Sequence, residues 1–185
     1  VSNYHLPDGT LALEKIPEFC RDYEAKIERL GGFDYYLLGI GRNGHIGFNE
    51  PGSTINSKTR LMTLEIATKI DASADFGGLQ KVPKKAITLG IDSIMKSKKI
   101  VLIAWGEHKA DSVALAVEGS VNSDIPASYL QLHPNASFIL DETAASMLTR
   151  IKTPWVVDSV IWDRSMIKKA VTHLSLSLQK PVLKL

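Results

Sequence analysis

The run YYLLGIGRNGHIGFNEPGS, residues 35–53, places an imidazole, a carboxylate and two carboxamides (His45, Glu50, Asn43 and Asn49) within eight residues. A histidine titrates near neutrality and can move protons, and a carboxylate beside it orients the ring and raises its basicity. Gly39, Gly41 and Gly44 relax the backbone around these groups, and Pro51-Gly52 then forces a turn. A bare connection between two elements has no need of so many hydrogen-bonding groups. The pattern suits proton transfer to a ligand held against a loop.

Such a loop needs rigid elements behind it. Residues 35–40 are a short apolar run with the length of a buried strand, and ligands of α/β sheets sit in loops at strand ends. Gly39-x-Gly41-x-x-Gly44 also matches the dinucleotide fingerprint, and Glu65 falls about 20 residues later, as that motif wants. The fingerprint requires a helix from the third glycine, whose first amides hold a pyrophosphate. Here Pro51, Gly52, Ser53, Asn56 and Ser57 follow instead, with no apolar residues at helical spacing. In a helix interior proline and glycine cost roughly 3 and 1 kcal/mol relative to alanine. No dinucleotide is expected.

Elsewhere Ile16, Phe19, Tyr23, Ile27 and Leu30 recur at helical spacing; Pro17 suits the first turn and Gly31-Gly32 the stop. Strands are expected over 60–66, 86–89, 100–105 and 136–140, and helices over 91–96, 109–118, 142–151 and 163–177; the stretch to Val82 is ambiguous. Asp141 is placed to cap the helix that follows it. Alternating strands and helices predict an α/β fold, with a mainly parallel sheet and helices on both faces. Pro154 marks a boundary. Residues 1–153 read as the α/β domain and 154–185 as a connector with a helix, in which Trp155 and Trp162 are packing anchors.

Composition narrows the function classes. The 185 residues suffice for one domain with a short appendage, and 44% apolar with 23% charged side chains is ordinary for a globular protein. A net charge of +2 argues for neither nucleic acid nor a membrane surface. No apolar run approaches membrane-spanning length, and the first residues lack signal-peptide form. One cysteine, Cys20, cannot form an internal disulfide, so a reducing, cytoplasmic setting is expected. No Cys/His spacing suggests zinc and no calcium loop is visible, so neither metal nor cofactor is expected. His5 and His173 read as surface residues, His133 as a local structural group, and His108 as a neighbour of whatever Lys109 binds.

Residues 39–53, Gly-Ile-Gly-x-x-Gly-His-Ile-Gly-Phe-Asn-Glu-Pro-Gly-Ser, resemble the active-site signature of the glucosamine-6-phosphate deaminase (isomerase) family. The likeness continues through Ser57-Lys-Thr-Arg60, Val82-Pro-Lys-Lys-Ala86-Ile-Thr-Leu-Gly90, Ala116-Val-Glu-Gly119 and Leu130-Gln-Leu-His133-Pro134. It covers about residues 4–150. The related 6-phosphogluconolactonases lack Phe-Asn-Glu-Pro and match less well. What the resemblance implies is conversion of glucosamine 6-phosphate to fructose 6-phosphate and ammonia. In that scheme His45 assists sugar-ring opening, Glu50 and Asn43 orient it, and Gly41, Gly44 and Lys109 bind substrate. Ser53, Arg60 and Thr63 match positions for an allosteric sugar phosphate. The expected partner is a small sugar phosphate, with homo-oligomers common among relatives and a fused C-terminal domain in the longer bacterial form.

Four departures stand out against that pattern. Asn43 replaces an aspartate, which predicts a less basic His45, a disfavoured imidazole tautomer and weakened ring opening. Met62 replaces a lysine of the allosteric set, and Ala74 stands near a phosphate-binding arginine of the lid. The family's amino-terminal phosphate loop and C2 base do not appear before Tyr4. A non-catalytic sugar-phosphate-binding homologue is therefore the alternative reading.

Overall fold

A computed structural model describes residues 4–184. The chain runs through α1 (Ile16–Arg29), β1 (Tyr36–Leu38), β2 (Arg60–Thr63), α2 (Ile66–Ala72), β3 (Lys85–Thr88), α3 (Ile91–Met95), β4 (Ile100–Ala104), α4 (Ala110–Glu118), β5 (Ala136–Leu140), α5 (Thr149–Lys152) and α6 (Arg164–Leu178). Pro17 lies in the first turn of α1, as its missing N–H allows. The helix stops where Gly31 and Gly32 take φ of 89° and 79°, with the Gly32 amide returning to the Ile27 carbonyl at 2.9 Å.

β1, β4 and β5 form a parallel sheet in that order, with Leu38 opposite Leu102 and Leu102 opposite Phe138. β2 and β3 form a separate antiparallel pair, with Arg60 opposite Thr88. The alternation of strands and helices thus yields the expected α/β fold. One sheet face, carrying Leu38, Ile100, Leu102 and Ala104, packs on Ile94 of α3, Val113 and Ala116 of α4, and Leu130. Each such large side chain contributes roughly 1.5–3 kcal/mol by leaving water. On the other face Leu37 and Ile139 are exposed.

Several local expectations shift. β1 is not buried throughout: Leu38 faces the core while Leu37 faces out, as period-two geometry requires. The strand expected over 60–66 is shorter, ending at Thr63, because Glu65 is already the residue before α2 and Ile66 its first. The helix expected over 142–151 is reduced to α5. Asp141 still caps the turn before it, accepting the Ala144 amide at 2.7 Å, but it also accepts from Gly106 at the end of β4, a tie between strand ends. Asp163 caps α6 through the Met166 amide at 2.8 Å, and no residue of α6 is buried. The Trp155 and Trp162 rings pack 6.1 Å apart.

Candidate active site

The 39–53 loop leaves the C-terminal end of β1 without entering a helix. Ile46 and Asn49 pair in an isolated antiparallel bridge, so the chain doubles back tightly instead. Gly44 holds φ of 79° at the bend and packs on Ile125. Gly41 is required for a different reason. A β-carbon there would lie 2.2 Å from both Cε1 and Nδ1 of His45, so the imidazole lies directly on the Gly41 backbone.

The ring's environment sets its tautomer. His45 Nδ1 is 2.6 Å from Asn43 Oδ1, 3.3 Å from Thr68 Oγ1 and 3.5 Å from Glu50 Oε2. Asn43 Nδ2 donates to Glu50 Oε2 at 3.0 Å and to Glu65 Oε2 at 2.9 Å. With both amide hydrogens taken by carboxylates, the amide presents its oxygen to the ring. This geometry favours the proton on Nδ1, which leaves Nε2, without a hydrogen-bond partner among the described residues, with its lone pair for a ligand. Where a disfavoured tautomer was expected from Asn43, two carboxylates give the carboxamide the orientation that an aspartate has by charge. Burial pushes the His45 pKa below its ordinary value; Lys109 acts in the same direction, while Glu50, Asp71 and Glu65 oppose. Burial thus favours the neutral ring.

Glu50 is almost fully buried and also accepts the Glu65 amide at 3.2 Å. Beside it, Asn49 donates to the carbonyls of Ile46 and Leu89, pinning the loop to the end of β3. Arg60 completes this scaffold, giving hydrogen bonds to Asn49 Oδ1 at 3.0 Å and Ser53 Oγ at 2.7 Å. Thr63 lies three residues on along β2, hence on the opposite side of the strand, and is exposed. The three residues matched to an allosteric phosphate are therefore not gathered into one open site. Arg60 and Ser53 are engaged with each other and with the loop.

A cavity of about 300 Å³ opens beside His45, lined by Gly39, Gly41, Gly47, Thr68, Asp71 and Lys109. Gly44 is not among the lining residues; it shapes the bend. Lys109 comes from the turn after β4 and precedes α4. Its ammonium makes no hydrogen bond or ion pair among the described residues, and burial lowers its pKa, Arg42 adding to this and Asp71 opposing. A half-buried, unpaired cation is costly in water-poor surroundings and favours an anion. Arg42 grips the Asp71 carboxylate with Nε at 3.1 Å and a second, shorter contact from its other arm, closing α2 against the loop. Sequence reasoning missed Arg42, Thr68 and Asp71, and it noticed Glu65 only as a dinucleotide signal.

The other candidates fall away from this cluster. His133 is buried, with Nε2 2.8 Å from the Ser97 carbonyl and Nδ1 accepting the Asn135 amide. His5 is exposed, and His173 packs against Trp155. His108 is exposed and lines a smaller recess that shares Gly39 and Lys109. Cys20 is buried, and burial raises its thiol pKa with Glu24 adding to the effect, which leaves it unreactive.

Comparison with known proteins gives this geometry a context. A model of the family described as glucosamine-6-phosphate isomerases/6-phosphogluconolactonase matches residues 3–139. A glucosamine-6-phosphate deaminase-like protein of Bacteroides thetaiotaomicron is 48% identical over 99% of this chain and 28% of its own length. The glucosamine-6-phosphate deaminase of Corynebacterium urealyticum is 48% identical over 84% of this chain and 60% of its own. A solved monomeric glucosamine-6-phosphate deaminase superposes with a TM-score of 0.72 at 44% identity, covering 76% of this chain and 58% of that one. This chain thus spans from about a quarter to three fifths of the length of these relatives. A parallel sheet whose strand-end loop seats an oriented imidazole opposite a free ammonium, together with the matched family model, makes this chain a member of the glucosamine-6-phosphate isomerase/6-phosphogluconolactonase family.

Proposed function

We propose that the native protein is a glucosamine-6-phosphate deaminase, and that this chain supplies the ring-opening and phosphate-binding side of its active site. One observation carries the reading: His45 has Nδ1 enclosed by acceptors and Nε2 uncommitted, at a cavity that also holds the unpaired Lys109 ammonium. The neutral ring takes the proton of the anomeric hydroxyl at Nε2 and returns one to the ring oxygen as that C–O bond breaks, so the open-chain aldehyde forms without net proton change. The transient imidazolium is balanced by Glu50, 3.5 Å from Nδ1. Lys109 binds the phosphate, as expected of a half-buried ammonium. The later C2 proton transfer is assigned to no residue described here.

Further parts of the reading are proposals on the same footing. Residues 154–185 act as a connector to a further domain, in line with the near-complete match to the longer Bacteroides protein. The setting is cytoplasmic; no helix of the described residues is long and apolar enough to cross a membrane.

The test is ammonia release and fructose 6-phosphate formation by the native-length protein from glucosamine 6-phosphate. Turnover lost in His45→Gln supports the proposal. Calorimetric binding of the sugar phosphate without ammonia would overturn it in favour of a non-catalytic binding module.

A further inference from the structure

We infer that Glu65 is a positioning residue for His45, acting through the side-chain amide of Asn43. The inference rests on the reading of His45 as the proton-moving group, but its test does not need turnover.

Glu65 occupies the position immediately before α2, with φ of −66° and ψ of 159°, where a side chain ordinarily caps the helix. It does not cap. Its carboxylate reaches Asn43 Nδ2 at 2.9 Å instead, while its backbone amide donates to Glu50 Oε1 at 3.2 Å. Asn43 Nδ2 in turn donates to Glu50 Oε2 at 3.0 Å. The three residues close a ring of hydrogen bonds, from which Asn43 Oδ1 lies 2.6 Å from His45 Nδ1 and also accepts the His45 amide at 3.3 Å, with Glu50 Oε2 farther from the ring at 3.5 Å.

The closure has a physical consequence. A carboxamide can turn over, and the reversed amide would offer N–H to Nδ1, forcing the proton onto Nε2 and removing the base. Reversal would also turn the oxygen towards two carboxylates, losing two charge-assisted hydrogen bonds. Without Glu65, reversal is opposed by the Glu50 bond and by the long 3.3 Å bond from the His45 amide to Asn43 Oδ1; Glu65 supplies the second charge-assisted bond. Thr68 of the same helix also reaches Nδ1, so the docking of α2 and the state of the ring are one arrangement. The charged groups that act on the ring are Glu50 from its own loop, Glu65 from the residue before α2, Asp71 from α2 and Lys109 from the turn before α4.

The experiment reads the His45 imidazole nitrogens by ¹⁵N NMR in the native-length protein at a pH where the ring is neutral. The wild-type ring is expected to carry its proton on Nδ1. In Glu65→Ala the Nε2–H tautomer gains by roughly fivefold or more, the equivalent of one ordinary hydrogen bond, and Glu65→Gln gives a smaller change. Adding Asn43→Asp to Glu65→Ala restores the Nδ1–H form, because a carboxylate at 43 has no N–H to present. An unchanged tautomer ratio in Glu65→Ala, or no restoration in the double variant, overturns the inference. A shifted ratio in a protein that releases no ammonia would sustain it while ending the deaminase reading.

Discussion

Two carboxylates withdrawn from bulk water, Glu24 and Glu50, sit in polar clusters of opposite purpose. Glu24 accepts the Thr59 amide and hydroxyl at 2.8 and 2.5 Å and the Ser93 hydroxyl at 2.6 Å on both oxygens, joining α1 to the start of β2 and to α3. Thr59 and Ser93 both find their acceptor in that carboxylate, and the groove of about 630 Å³ beside it is lined by apolar Leu13, Ile16, Pro17 and Leu61 together with charged Arg21, Glu28, Lys58 and Arg60. The cavity at His45 has half that volume, yet two polar atoms there, His45 Nε2 and Lys109 Nζ, have no partner among the described residues. Size alone would have favoured the wrong hollow. The satisfied cluster welds elements together, whereas the site is where hydrogen-bonding capacity is left over.

The comparison breaks first at His45. Under the proposed function, His45→Gln should lower turnover of glucosamine 6-phosphate by the native-length protein about 10²–10⁴-fold, the usual worth of a general acid–base group, with the thermal midpoint little changed. Glu24→Ala should do the reverse, costing about 1–3 kcal/mol for the orphaned Thr59 and Ser93 donors, with kcat preserved. Urea denaturation beside a steady-state assay separates the two, and a Glu24→Ala protein of full stability would erase the distinction. Lys109→Gln should raise KM by about tenfold, one charge-assisted contact, and weaken inhibition by inorganic phosphate, with kcat affected less.

The smallest effects lie in pH dependence, and they have a sign. Because burial holds the native His45 pKa below the ordinary 6.5, the unfolded chain binds the proton first. Stability should therefore decline as pH falls below about 6.5, and His45→Gln should flatten that decline. Glu24 differs: burial pushes its pKa up, but the Ser93 and Thr59 hydrogen bonds outweigh this and leave it below the ordinary 4.5. Its contribution is complete above the unfolded pKa and disappears only as pH falls through the native one. Chemical denaturation at pH 7, 6 and 4 distinguishes the two slopes, and a His45→Gln variant with the wild-type slope between pH 7 and 6 would remove His45 as their source.

Much of this was legible before any coordinates. The helical spacing from Ile16 to Leu30 and the apolar runs of β4 and β5 mark elements within a residue or two, because they bury one face or lie inside a sheet. The loop's failure to start a helix followed from Pro51 and Gly52. The 142–151 segment was not legible: Asp141 caps a turn there and is also held by Gly106, a competition between strand ends that no local pattern records. Thr63 was grouped with Arg60 by matching positions, and a strand's period of two sends it the other way.

The sequence by itself determined the chemistry on offer: an imidazole, its neighbouring carboxylate, a permissive glycine loop and the family to which they belong. It also determined that Asn43 breaks the expected acid pattern, since that is a matter of residue type alone. Only the tertiary structure decided which atoms meet. Glu65 lies 22 residues from Asn43, and Asp71 lies 29 from Arg42; Lys109 arrives through the register of β1 on β4. Hydrogen bonds act over about 3 Å and require direction, so a side chain's role is settled only when folding brings its partners alongside.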